Sequence, residues 1–458
     1  MPFKRKIYDK LLDWKNEFSG KKALLIEGAR RIGKSTIVEE FGRNEYKTYL
    51  LIDFNDISPL VTDCFENHLN DLDTFYMLLS TEYGKELHNR QSLIIFDEIQ
   101  RYPKARQSIK KLVQDGRYDF IETGSLISIH ENVKDITIPS EERTLNMYPM
   151  DFEEFCWALG EEKLTEYIRI CFEKQQPLEQ PLHNKAMLLF KQFMLVGGMP
   201  KALDLYLSSA KNFNQSDAEK RDIITLYRED IMKIGVKYRS KVLSIFDGIP
   251  GFLSQHEKRI VFNEIEDGSF FTQYADTFFW LADSRIVNEC FKCNDPNIGL
   301  SLNENRSYVK CYMGDTGLLV SHAFSENEIT KNELYKQIFN DKLSINEGML
   351  YENAIAQILV ANGHKLFFYT HYNESTHKND IEIDFILSNQ SKTQFKITPI
   401  EVKSTTKYQF NSLKTFTSKF RERIGCSYII HPKNLSIKKD EQTGIEYIAI
   451  PPYMTSAL

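Results

Sequence analysis

Residues 28–35 read GARRIGKS, a G-x-x-x-x-G-K-S spacing directly behind the apolar run Ala23, Leu24, Leu25 and Ile26. Glycine at 28 and 33 lets the backbone turn so that successive N–H groups converge on phosphate oxygens. Lys34 brings a cation to the β- and γ-phosphates, Ser35 offers a hydroxyl to Mg²⁺, and a helix opening near Lys34 aims its positive end at the anion. Gly28, Ala29, Arg30, Arg31, Ile32 and Gly33 are therefore the candidate loop for ATP, with Lys34, Ser35 and Thr36 at the helix start.

A second apolar run, Ser92 to Phe96, ends in Asp97 and Glu98. At the carboxyl end of a buried strand, Asp97 is placed to hold Mg²⁺ through Ser35 and water, and Glu98 to polarise the attacking water, which points to hydrolysis and not binding alone. One intervening strand, Thr48 to Asp53, fits between the two motifs. A fourth, Tyr118 to Glu122, runs into Thr123, Gly124 and Ser125, read as a polar turn where Thr123 and Ser125 are candidate γ-phosphate sensors. Arg143 is a further candidate, neutralising charge in its own chain or in a neighbouring copy; its setting, Ser140-Glu141-Glu142-Arg143, equally suits a surface arginine.

A second set of chemical residues lies far along the chain, with Asp384 in IEIDFIL and Glu401 and Lys403 in PIEVKS. Strand alternation puts Glu401 and Lys403 on one face. Two carboxylates from neighbouring strands and a nearby lysine are what a metal-dependent phosphodiesterase needs, and Glu352 on the preceding helix adds a third acid. Acids in apolar strands call for a compensating metal or lysine. Residues 392–423 carry eight Lys/Arg against two Asp/Glu, which suits a phosphate-rich partner such as DNA.

The elements that must position these residues fill 458 residues, room for about three domains. Strand and helix patterns alternate over 1–150, giving an α/β domain with a parallel sheet. Residues 151–240 are helical and read as a lid. Over 241–335, short helices precede a β-hairpin, the order of a winged helix; acids at Asp276 and Asp283 in its would-be recognition helix favour a protein or intramolecular contact over DNA. Residues 340–458 run helix, three strands, helix, strand, a mixed α/β domain. Cys290, Cys293 and Cys311 invite a zinc reading, but no fourth ligand is evident and core thiols explain them better. Seven cysteines without a framework fit a reducing compartment. No apolar stretch is long enough for a membrane span, and no hydrophobic segment follows the basic start MPFKRKIYDK, so a cytoplasmic location is expected. A net charge of −6 argues against a globally basic nucleic-acid coat.

The chain resembles, over nearly its whole length, a prokaryotic family of AAA-type ATPases whose C-terminal domain is restriction-endonuclease-like and of unassigned function. The resemblance rests on GARRIGKS, LIIFDEIQ, the TGS turn, YPMDFEEF, VGGMPKAL, YMGDTGLL, EGMLYEN, EIDFIL and PIEVKS. It implies MgATP at Gly28, Lys34, Ser35, Asp97 and Glu98, a winged-helix segment, and a nuclease-type metal site at Glu352, Asp384, Glu401 and Lys403. Before Arg143 this chain has Ser140-Glu141-Glu142 where the family tends to a shorter glycine-containing turn. The leading expectation is a nucleotide-driven switch acting on the C-terminal domain. The alternatives are an ATP-dependent metal nuclease or DNA remodeller, and an ATPase whose C-terminal domain is a non-catalytic protein-interaction module. Homo-oligomers or a protein partner are compatible with each.

Overall fold

The computed structural model describes residues 2–125, 140–325, 332–340, 347–375, 377–390, 395–441 and 443–458. The chain divides into two compact units, Met1–Tyr148 with Asp283–Arg285, and Pro149–Ala282 with Ile286–Leu458.

In the first unit, β1 (Ala23–Glu27), β2 (Thr48–Asp53), β3 (Ser92–Asp97), β4 (Asp119–Gly124) and β5 (Glu142–Asn146) form a parallel sheet in the order β2-β3-β4-β1-β5. The central strands are continuous apolar runs because both faces are covered. Phe54, Phe65, Phe75, Phe96 and Phe120 fill one side beneath the helices Pro59–Asn67, Leu72–Tyr83 and Pro103–Asp115. Parallel strands carry their carboxyl ends to one edge, so Glu27, Asp97 and Thr123 meet there whatever their separation in sequence.

Two local expectations are corrected. Thr123 and Gly124 lie inside β4 and not in a turn. The run Ser140-Glu141-Glu142-Arg143, read without a strand, leads into the edge strand β5, paired with β1 from Ala23↔Glu142 to Glu27↔Asn146, with Arg143 exposed as a surface arginine would be. An edge strand is recruited through its backbone and needs no apolar run.

In the second unit, eight strands form a mixed sheet in the order β12-β13-β11-β10-β9-β8-β6-β7. They are β6 (Val287–Cys293), β7 (Glu304–Met313), β8 (Leu366–Asn373), β9 (Lys378–Gln390), β10 (Phe395–Val402), β11 (Tyr428–Ile430), β12 (Ser436–Lys439) and β13 (Glu446–Ile450). The hairpin expected as a wing is β6–β7, and it is built into the sheet by parallel pairing of β6 with β8. Cys290, Cys293 and Cys311 are buried thiols of that ribbon. The helices Phe152–Ala158, Gln180–Val196 and Phe213–Met232 belong to the same unit.

The motifs VGGMPKAL, YMGDTGLL and EGMLYEN converge on one buried junction. Asp315 caps the helix Thr316–Ala323 by accepting from Leu318 N at 2.9 Å, and its other oxygen accepts from Gly198 N and from Gln357 Nε2. Gln357 also bonds Met150 O at 3.1 Å and Thr316 N at 2.8 Å. The backbones approach too closely for side chains, since a Cβ on Gly198 would lie 2.0 Å from Met150 O and one on Gly317 2.3 Å from Val196 O. These glycines serve packing. Gly198→Ala is expected to destabilise the protein by about 1–3 kcal/mol through overpacking, read as a lowered denaturant midpoint. An unchanged midpoint would mean that the Met150 backbone yields freely.

Candidate functional site

The strand β1 ends at Glu27, and the following loop turns into the helix Lys34–Glu45 at Gly33, whose φ of 92° lies in the left-handed region that glycine tolerates. No side chain caps that helix, which leaves its first N–H groups available to an anion. A Cβ at Gly28 would lie 2.3 Å from Met147 O, so only glycine fits. Lys34 is buried, and its Nζ turns back onto Gly28 O at 2.9 Å and Ala29 O at 2.8 Å. Burial pushes its ammonium down to about 8, against the pull of Glu98 and Asp97.

Two strand ends and the start of a helix are stitched together here. Ser35 Oγ donates to Asp97 Oδ1 at 2.8 Å, Thr123 Oγ1 donates to the same oxygen, and Glu98 N donates to Thr123 Oγ1 at 3.4 Å. The P-loop serine, the strand-end aspartate and Thr123 are thus brought together. Ser125 follows directly, also buried. Glu98 is left-handed, with a φ of 55°, and its Oε2 accepts from the amide of Gln100, a buried neighbour that sequence reasoning passed over. Its signal was a polar residue two positions past the acid pair. Arg143 is not brought to this edge in its own chain. It pairs with Leu24, three residues before the end of β1, is exposed, and lays its guanidinium 4.3 Å from the centre of the Phe18 ring.

The residues present fit MgATP. An uncapped helix end, a loop glycine with no room for a side chain, a buried lysine bonded only to carbonyls, and a hydroxyl already on an aspartate form a complementary donor set.

Comparison with known proteins agrees. Residues 20–156 match the family described as an AAA domain. This segment is an AAA ATPase-like domain. Residues 187–328 and 347–453 each match a domain of unknown function, DUF8612 and DUF4143. No curated protein matches the chain in sequence. Among solved structures, the ORC1 protein of Aeropyrum pernix in complex with DNA is similar at 11% identity and a TM-score of 0.29, covering 71% of this chain and 94% of that one. A signal-transduction ATPase with a tetratricopeptide repeat sensor from Pyrococcus horikoshii is similar at 14% and 0.28, covering 79% of this chain and 48% of that one. Likenesses at such scores carry neither fold nor function. Among the described residues no helix is long and apolar enough to cross a membrane.

In the second unit the structure also gathers the acids expected around a metal. Glu352 is buried on the helix Glu347–Ala361, Asp384 is on β9, and Glu401 is on β10 beside it, where Val402 N donates to Asp384 Oδ2 at 2.8 Å. Lys403 Nζ lies 2.6 Å from Glu401 Oε1. What the sequence did not reveal is the set of partners: Glu352 accepts from Lys310 Nζ at 3.0 Å, from Lys258 Nζ and from Tyr312 Oη. The Lys310 ammonium, fully buried, is also 3.6 Å from Asp384 Oδ1. Burial would raise the Glu352 carboxyl, but Lys258 and Lys310 outweigh it and hold it at about 2. Both oxygens of Glu352, expected as a metal ligand, are taken by protein donors. Among the described residues no cluster of three or more His, Cys, Asp or Glu side chains is arranged to hold a metal ion.

The basic stretch is partly neutralised within the fold, with Lys403 on Glu401, Lys414 on Asp440 at 2.7 Å and Arg423 on Asp295. Asn346, read as opening the helix to about Ala361, and Lys392 lie outside the described residues.

Glu401 is raised to about 7, by burial first, with Lys403 opposing and Asp384 and Glu382 adding to it. Burial lowers Lys403, but Glu401, Asp384 and Glu382 together outweigh it and raise the ammonium. The upward direction for Glu401 is the firmer, because its Oε2 is buried with no hydrogen-bond partner. Between the ordinary carboxyl value of 4.5 and about 7 the folded state then holds more protons than the unfolded one, and stability is lost as pH rises through that window. Glu401→Gln is expected to gain stability relative to wild type over the same rise and to level off above it, measured by denaturant unfolding at each pH. A difference independent of pH would place the Glu401 titration elsewhere.

Proposed function

We propose that the chain is an ATP hydrolase whose nucleotide state governs its C-terminal domain. The observation that carries the hydrolase reading is the chain of contacts from Ser35 through Asp97 to Thr123, beside the buried Lys34. Lys34 Nζ would exchange its two carbonyl partners for phosphate oxygens, a charge-assisted replacement for neutral contacts. The open N–H groups of the loop and helix would face the same phosphates. Bound Mg²⁺ would neutralise the β- and γ-oxygens, with Ser35 Oγ and Asp97 holding it. Glu98, one residue past the strand end, would orient the attacking water and accept its proton. In the present arrangement Gln100 occupies Glu98 Oε2, so base catalysis requires that contact to open. Thr123 keeps Asp97 aligned from the neighbouring strand.

Control of the C-terminal domain is supported by its presence in the same chain, with a sheet and charged cluster of its own. Between a domain that grips or cuts nucleic acid and one that contacts protein, the internal neutralisation of Lys403, Lys414 and Arg423 favours the second.

Lys34→Ala is expected to abolish ATP binding or turnover, because the phosphates lose the cation inside the loop; wild-type affinity and rate in that variant would overturn the site. Glu98→Gln is expected to keep MgATP affinity while slowing turnover about 10²- to 10⁴-fold, the usual worth of a general base. Measured by nucleotide titration and phosphate release, undiminished turnover would remove Glu98 from the mechanism.

A further inference from the structure

The fold that the C-terminal sequence resembles would place a divalent ion among Glu352, Asp384 and Glu401, with Lys403 beside it. Three carboxyl groups and one ammonium, with the Glu382 carboxyl acting on them as well, leave the cluster short of positive charge, which a divalent ion would supply. Here two other lysines supply the same charge. Lys258 Nζ pairs with Glu352 Oε2, and Lys310 Nζ lies 3.0 Å from Glu352 Oε1 and 3.6 Å from Asp384 Oδ1, between two of the acids that the ion would bridge. Tyr312 Oη adds a third donor to Glu352.

The Lys310 ammonium is no transient visitor. Its backbone lies in β7, opposite Cys290 of β6, and Arg259 forms an isolated bridge on its other side. Its side chain is enclosed, with Nζ 5.3 Å from the centre of the Phe368 ring. To reach Glu352 an ion would have to displace two ammonium groups and a phenol, and would then stand as a dication beside an enclosed Lys310 left with Asp384 at 3.6 Å and the influence of Glu382 as its counter-charges. In a low-dielectric site that repulsion is large, and expelling a buried ammonium unpaired costs several kcal/mol. Ion ligands at about 2.0–2.6 Å also demand lone pairs that face one point. Both Glu352 oxygens and Asp384 Oδ2 already accept from protein donors.

We propose that Lys310, assisted by Lys258, takes the place of the divalent ion in the C-terminal acidic cluster, so that this domain is complete without metal and does not cleave phosphodiesters by a metal-dependent route. The inference is independent of the ATP site. It gives the β6–β7 ribbon a definite task, which is to carry the cation into the cluster.

The test uses nucleotide-free, full-length protein and Mn²⁺ as the probe, with free Mn²⁺ followed by electron paramagnetic resonance. Wild type and Asp384→Asn are expected to take up Mn²⁺ equally, since any weak uptake at Asp97 is common to both. Lys310→Met, similar in length and uncharged, is expected to gain one Mn²⁺ per chain and to lose it again when combined with Asp384→Asn. Uptake by wild type that disappears in Asp384→Asn would overturn the proposal, as would Mn²⁺-dependent cleavage of DNA by wild type that Asp384→Asn abolishes. A folded Lys310→Met protein without the new site would also overturn it, because the lysine would then not be what stands in the ion's place. Should Lys310→Met fail to fold, the comparison of wild type with Asp384→Asn decides alone, equal uptake supporting the proposal and unequal uptake overturning it.

Discussion

A charge removed from water must find its opposite, and the second unit is organised around that constraint. Lys310 on β7 meets Glu352 on the helix Glu347–Ala361 and Asp384 on β9, tying a ribbon, a helix and a long central strand at one point. Removing any one member would strip a buried ion of one of its counter-charges, which is costlier than losing a surface pair. The same helix uses its next turns for the neutral counterpart of this device. Asn353 bonds Met313 N at 2.8 Å, and Gln357 bonds Thr316 and Met150. One face of a single helix thus satisfies the backbone and charge of the segments packed on it, which explains why polar residues stand in its most buried positions.

The nucleotide site was legible because its chemistry is local. A phosphate cradle needs contiguous residues, so GARRIGKS announces itself, and the apolar run before Asp97 and Glu98 marks a buried strand end just as directly. The parallel sheet then delivers those ends to one edge without further information. Thr123 shows the same logic surviving a local misreading. It belongs to β4 and not to a turn, yet the register of β4 against β3 carries it to Asp97. The strand β5 escaped notice because its sequence is charged and half exposed, and its membership depends on β1 offering an unpaired edge.

The acidic cluster was legible only in its acids. Asp384, Glu401 and Lys403 stand out because charged residues in apolar strands require an explanation. The lysines that pair with Glu352, Lys258 and Lys310, the second of which also reaches Asp384, come from segments that read as an ordinary short helix and an alternating hairpin. Nothing in the spacing of Tyr308 to Met313 distinguishes a lysine pointing into a core from one pointing into water, since alternation gives two faces without saying which is buried. Only the pairing of β6 with β8, a contact between distant segments, turns Lys310 inward. A motif of acids in apolar strands therefore does not by itself assign an activity, because its counter-charge can be supplied by the chain.

The two charged sites differ in what their lysines can do. Lys34 is buried but bonded to carbonyls alone, with burial lowering its hold on the proton, so its environment improves when an anion arrives. Lys310 is buried between carboxylates that raise its hold on the proton, and any added cation would worsen its environment. The first is a site that lacks its counter-charge and is built to receive it. The second already has its counter-charges, and its natural consequence is rigidity. A chain that keeps one site open to a phosphate and holds the other with its own lysines has its ligand-ready charge at the parallel sheet and its self-neutralised charge in the mixed sheet.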